Sequence, residues 1–191
     1  MTHASDEGLR LLRQRHRQGK SIPREWVAQA MQKDDLYSQC LSFEILAHAF
    51  PRIVPPMDVG SAREFFLQYY LRCIGANVTP AAASESDEPH SPYEAARELA
   101  LLLAWALQAE ADGQFAVRIG TAVAELYDKG GEDTQTCIET GFLEHALEYC
   151  EARPFFGSWA SDLGRREAYL RALQWGEAHE RALPATSPFN L

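Results

Sequence analysis

Apolar residues recur at helical spacing along almost the whole chain, and no run of alternating β-branched residues is long enough to form a strand. Residues 36–50, for example, place Leu36, Cys40, Phe43 and Phe50 on one face of a helix. The longest uninterrupted apolar run, residues 99–107, is much shorter than the roughly 20 residues that cross a bilayer. The spacing therefore predicts an all-α fold in which residues 99–107 form a buried core helix.

Proline and glycine divide the chain into about 7–8 predicted helices. Ser91-Pro92-Tyr93-Glu94 is a capping box with proline at the first helical position. Ser21 and Pro23 indicate a similar capped start, and Gly130-Gly131 indicates a stop. The predicted helices cover residues 5–18, 35–50, 61–74, 91–111, 114–128 and 163–179, with two more after Ser21 and after Asp133. Since short turns join antiparallel neighbours, we expect an array of antiparallel helical hairpins, either a bundle or a short HEAT-like stack.

A polar segment interrupts this pattern near the middle of the chain. Residues 77–90 contain no large apolar residue after Val78, which predicts a flexible loop. With 46% hydrophobic residues the chain can bury one core, so we expect a single helical domain over residues 1–183. Two subdomains, 1–76 and 91–183, are the alternative division. Residues 184–191 are predicted to form a frayed tail.

The net charge of −9 is unevenly distributed along the chain. Residues 77–151 carry 3 Lys+Arg against 15 Asp+Glu, whereas residues 1–76 carry 10 against 8 and residues 152–191 carry 5 against 4. A surface of this kind repels nucleic acid and anionic membranes and attracts basic proteins. We therefore predict a basic protein partner and no binding to nucleic acid or membrane.

No arrangement of residues spells out catalytic, metal or cofactor chemistry. His145 and Glu148 lie one helical turn apart, but the H-E-x-x-H and E-x-x-H patterns of metal sites are absent. The four cysteines form no C-x-x-C pair and are expected to be reduced. We therefore predict that the chain is not an enzyme and has no catalytic residues, metal ligands or cofactor. Reduced thiols and the lack of an apolar signal segment predict a cytoplasmic location.

The carboxylates between residues 125 and 151 are the main candidates for partner binding. We call them the acidic tract: Glu125, Asp128, Glu132, Asp133, Glu139, Glu144, Glu148 and Glu151. Glu144, Glu148 and Glu151 follow i, i+4, i+7 spacing and are predicted to share one helical face. This charge is either a solvated surface or a docking face for a basic partner. Phe155, Phe156 and Trp159 are too apolar for a solvated loop; they are expected to fold back on the core, with an exposed portion that adds to binding.

One stretch of the chain resembles a group of known proteins. It contains Thr140-Gly141-Phe142-Leu143-Glu144-His145-Ala146-Leu147-Glu148, then Arg153-Pro154-Phe155-Phe156-x-x-Trp159 and Ala172-Leu173-x-Trp175. In rhythm and aromatic placement, residues 93–178 resemble small all-helical bacterial proteins encoded beside polymorphic or contact-dependent toxins, which are thought to be immunity proteins. The resemblance implies a cytoplasmic bacterial protein that acts by binding, and it does not extend to residues 1–76.

These observations lead to two hypotheses about function. The first is an immunity protein that neutralises a basic bacterial toxin or effector by occluding its active surface. The predicted binding residues are Asp128, Glu132, Asp133, Glu139, Glu144, Glu148, Glu151, Phe155, Phe156 and Trp159. The second hypothesis is a helical-repeat scaffold or adaptor within a larger complex.

Overall fold

The computed structural model describes residues 3–76, 88–109 and 113–185, with the side chains of residues 3–6 left out, and most of these residues are helical. The α-helices are α1 (His3–Arg17), α2 (Arg24–Met31), α3 (Leu36–Ala49), α4 (Val59–Gly75), α5 (Pro92–Ala109), α6 (Gln114–Lys129), α7 (Glu132–Cys137), α8 (Glu144–Leu147), α9 (Arg153–Phe156) and α10 (Arg166–Ala178). Within the described ranges seven of them have eight or more residues, and the continuous run from α7 to α8 forms an eighth. The all-α fold and the number of main helices are confirmed.

A short parallel strand pair corrects the expected start of α2. β1 (Ile22–Pro23) pairs with β2 (Ile53–Val54), with Ile22 opposite Ile53. Both isoleucines are buried. Because residues 22–23 are extended, α2 begins at Arg24 and Pro23 caps it without a side-chain hydrogen bond. The local signal at Ser21 gave way to burial of Ile22 against a distant segment.

The helix after Gly131 changes its winding partway along. α7 passes into a π-helix, Ile138–Leu143, which passes into α8. A π-helix closes its hydrogen bonds one residue later than an α-helix, so it changes which side chains share a face. Tyr149 is extended, and Cys150–Ala152 form a separate 3₁₀ turn. The regular helical face predicted for residues 144–151 is therefore not formed.

The chain folds into two compact units. Of the described residues, the first unit contains 3–69 and 88–89, and the second contains 70–76, 90–109 and 113–185. The division falls inside α4 at Tyr70. Most of the predicted loop 77–90 and of the predicted tail 184–191 lies outside the described residues.

Aromatic packing between α3 and α4 forms the core of the first unit. The ring of Phe43 lies edge-on to Phe66 at 5.2 Å and stacks on Tyr69 at 5.0 Å between centroids. Asp35 caps α3, because its carboxylate accepts a hydrogen bond from the Ser38 amide at 2.8 Å.

The second unit is organised around α5. The capping box is formed: the Ser91 amide donates to the Glu94 carboxylate at 3.1 Å, and the Glu94 amide donates to the Ser91 hydroxyl at 3.3 Å. Residues 102–106 are buried, which confirms the predicted core helix. The π-helix, α8 and α6 pack against α5, and α10 packs on α8. In the part of the chain that the structure describes, no helix is long and apolar enough to cross a membrane.

Candidate functional site

Four carboxylates of the acidic tract surround the turn between α6 and α7. We call Glu125, Asp128, Glu132 and Asp133 the turn cluster, and all four side chains are exposed. Glu125 pairs with Lys129, the one lysine of this segment, at 3.0 Å. The sequence prediction that Gly130 and Gly131 end one helix and separate it from the next is confirmed, so two of the carboxylates precede this turn and two follow it.

Asp128 is held by a cation from a later part of the chain. The Arg165 guanidinium donates from Nε to Asp128 Oδ1 at 2.9 Å and makes a second contact to Oδ2. The same guanidinium lies 5.1 Å above the ring of Trp159. Such a forked pair over an aromatic ring fixes the arginine. Part of the charge of Asp128 is therefore neutralised within the fold.

Glu132 and Asp133 are the members of the turn cluster at the start of α7. Neither forms an ion pair within residues 3–76, 88–109 and 113–185. Both lie in the first turn of α7, where the helix dipole favours negative side chains. These two residues are therefore the strongest candidates for contact with a basic partner.

The Glu139 carboxylate makes two contacts within the fold. Its carboxylate accepts hydrogen bonds from the Tyr127 hydroxyl at 2.8 Å and from Arg171 at 2.6 Å. Burial, together with the hydrogen bond to Glu139, raises the pKa of Tyr127 to about 12. Glu139 thus joins α6, the π-helix and α10.

The prediction that Glu144, Glu148 and Glu151 share one helical face is wrong for Glu151. α8 ends at Leu147, so Glu151 is exposed on the following 3₁₀ turn. Glu144 is half-buried, and desolvation raises the pKa of its carboxyl group. Glu148 is buried. Glu144 and Glu148 remain about one helical turn apart and interact electrostatically, whereas Glu151 lies beyond the end of α8.

The buried Glu148 carboxylate is contacted by three other side chains. Oε1 lies 3.0 Å from Nδ1 of His145 and accepts a longer hydrogen bond, 3.5 Å, from Nε1 of Trp175. Oε2 lies 3.0 Å from Nε of Arg181. We call these four residues the Glu148 centre. Local spacing in the sequence links His145 with Glu148, but it does not link either residue with Trp175 or Arg181, which lie at least 27 positions further along the chain.

A cavity of about 320 Å³ opens beside the Glu148 centre. α5, three members of the Glu148 centre and Tyr149 form its wall. The lining residues are Arg97, Glu98, Ala100, Leu101, His145, Glu148, Tyr149 and Arg181. Its size is at the lower end of the range for small-ligand sites.

The aromatic segment is mostly part of the core. Phe156 and Trp159 are buried, and their rings meet edge-on at 5.8 Å. Phe155 is half-buried. The expectation that this segment folds back on the core is confirmed, although it forms α9 and a 3₁₀ turn rather than a loop. Phe156 and Trp159 are thus removed from the predicted docking surface, as is Glu148, because their side chains are covered.

In the described ranges no group of three or more His, Cys, Asp or Glu side chains is arranged to hold a metal ion. No protein-family model, curated protein or solved structure matches the chain.

Proposed function

We propose that this chain is a binding protein of the immunity type, which neutralises a basic bacterial toxin or effector by covering its active surface. The observation that carries the proposal is the turn cluster. It presents four exposed carboxylates within nine residues, and Glu132 and Asp133 have no ion-pair partner among the described residues. Charge of one sign on an exposed turn accelerates association with a partner of opposite charge.

The exposed members of the predicted docking surface are Asp128, Glu132, Asp133 and Glu151. The first three belong to the turn cluster, which also contains Glu125. Glu139 remains half-buried and held by Arg171. Exposed rim charges mainly set the association rate and its dependence on salt. The proposal therefore makes a kinetic prediction that concerns Glu132 and Asp133.

The test uses the protein encoded beside the gene for this chain as the candidate partner. We expect co-expression of the chain to relieve growth inhibition by that partner and the two proteins to form a complex. In the double variant Glu132→Lys/Asp133→Lys, association should slow about tenfold or more at low salt, and the loss should shrink as salt is raised.

The matched control is Glu25→Lys/Glu177→Lys, which makes the same change in net charge at exposed positions outside the turn cluster. Circular dichroism must show that both variants are folded, since each lysine in the first turn of α7 costs about 0.3–1 kcal/mol of helix stability. Equal slowing in both variants, or in neither, would refute the turn cluster as the docking surface. A complex that forms without relief of growth inhibition would favour the scaffold hypothesis.

A further inference from the structure

We propose that the Glu148 centre is a binding site for a guanidinium group of the basic partner, and that Arg181 of the same chain occupies this site in the unbound protein. The inference rests on the proposed function, because it supplies a particular contact for a partner rich in arginine. It concerns a surface other than the turn cluster and is tested separately.

The Glu148 carboxylate and the Arg181 guanidinium differ strongly in exposure. The side chain of Glu148 is 3% exposed, whereas that of Arg181 is 62% exposed. The guanidinium thus covers the carboxylate from the solvent side. A buried carboxylate is strongly unfavourable unless cations or hydrogen-bond donors compensate it. His145 and Trp175 contact Oε1, and Arg181 supplies the guanidinium at Oε2, so loss of Arg181 leaves Oε2 open to another guanidinium.

The segment that carries Arg181 is attached to the rest of the unit through its backbone and through Glu180. We call residues 179–185 the Arg181 strap; they follow α10 and contain no helix. The Arg181 amide donates to the Glu148 carbonyl at 2.8 Å, and Arg153 pairs with Glu180 at 2.9 Å. Residues 179–182 are all exposed. A segment that buries few side chains opens more easily than the core to which it is attached.

The neighbouring cavity combines apolar and acidic surface. Ala100, Leu101 and the buried ring of Tyr149 provide the apolar surface. Glu98 adds a second carboxylate, which lies 3.3 Å from the Arg97 guanidinium. An arginine side chain has an apolar stem and a planar charged end, so it matches a cavity of this composition. The planar fork of a guanidinium also donates in two directions to one carboxylate, which a lysine ammonium does less well.

The probe is an N-acetylated six-arginine peptide, with the six-lysine peptide for comparison. Removal of an internal competitor raises the fraction of binding-competent protein and so tightens apparent binding. We expect Arg181→Ala to bind the arginine peptide about fivefold or more tightly than the wild type. The matched control is Arg166→Ala, which removes one exposed positive charge from α10 outside the Glu148 centre. It should match the wild type within about twofold.

Two further measurements locate the binding. In the double variant Arg181→Ala/Glu148→Gln, the arginine peptide should no longer bind more tightly than to the wild type. Trp175 donates to Glu148, so arginine-peptide binding should change the indole emission of Arg181→Ala, and adding Trp175→Phe should abolish this change. If circular dichroism shows that Glu148→Gln does not fold, Arg181→Lys replaces it. Lysine keeps the positive charge but lacks the planar guanidinium. Arg181→Lys should therefore bind the arginine peptide more tightly than the wild type, but less tightly than Arg181→Ala does.

The inference fails if Arg181→Ala and Arg166→Ala bind the arginine peptide with equal affinity. It also fails if Arg181→Ala tightens binding of the lysine peptide by the same factor, or if Arg181→Lys binds the arginine peptide no more tightly than the wild type. These results would leave the turn cluster unaffected. Conversely, slower association of the Glu132→Lys/Asp133→Lys variant with its partner would uphold the proposed function even if Arg181 proved to be structural only.

Discussion

Gly176 of α10 lies directly against the backbone of Leu147 at the end of α8. A Cβ atom built on Gly176 would approach both the carbonyl carbon and the oxygen of Leu147 to 2.4 Å, and the amide nitrogen of Glu148 to 2.9 Å. Real side chains do not come this close to backbone atoms. The lack of a side chain at Gly176 therefore lets α10 approach the Glu148 centre closely enough for Trp175 to reach Glu148.

We predict that Gly176→Ala lowers the free energy of unfolding by about 1–3 kcal/mol, because the added methyl group must push α10 away from α8. In an unobstructed helix the same change would stabilise the fold by about 0.5–1 kcal/mol. Urea denaturation followed by circular dichroism measures the effect. Gly157→Ala is the control, since nothing lies within 4 Å of a Cβ built on Gly157. Equal midpoints for the two variants would contradict the close contact between α10 and α8.

A second prediction separates the two neighbouring phenylalanines of α9. Phe156 is fully buried, and its ring lies 5.8 Å from that of Phe142. Phe156→Ala should therefore lower the free energy of unfolding by about 3–5 kcal/mol. Phe155→Ala should have a clearly smaller effect, because Phe155 is half-buried. Chemical denaturation of both variants provides the comparison. A larger loss of unfolding free energy for Phe155→Ala than for Phe156→Ala would contradict the packing described for α9.

A third prediction concerns pH and His90. Its ring lies edge-on to Tyr70 at 5.7 Å, and burial lowers the pKa of its imidazole below the ordinary 6.5. Above that pH the imidazole is neutral in both the folded and the unfolded chain. As the pH falls below about 6.5, the unfolded chain takes up the proton more readily than the folded chain. The free energy of unfolding therefore falls with falling pH in this range.

The measurement is the free energy of unfolding from pH 7.5 to about 5.5, above the range in which ordinary carboxylates titrate. His90→Gln should show a shallower fall in stability than the wild type. His48→Gln serves as the control, because the His48 side chain is 61% exposed. The slope, and not the absolute stability, is the readout. An unchanged slope in His90→Gln would mean that His90 does not resist protonation in the fold.

The sequence by itself determined the features that depend on neighbours within about four residues. The capping box of Ser91 and Glu94 is one, and the turn at Gly130 and Gly131 is another. The helical spacing of apolar residues also identified α5 as the core helix. These features could be predicted because capping bonds and amphipathic spacing act within a single helix.

Only the tertiary structure decided which carboxylates are covered. Glu132 and Glu148 look alike in the sequence, yet Glu132 is exposed and Glu148 lies under Arg181. The π-helix and α8 pack against α5, α8 also packs against α10, and the absence of a side chain at Gly176 brings α10 close. Burial of a charge depends on which distant segment reaches it, and helical spacing carries no information about that segment. For the same reason the pairing of Ile22 with Ile53 overrode a local signal for a helix start.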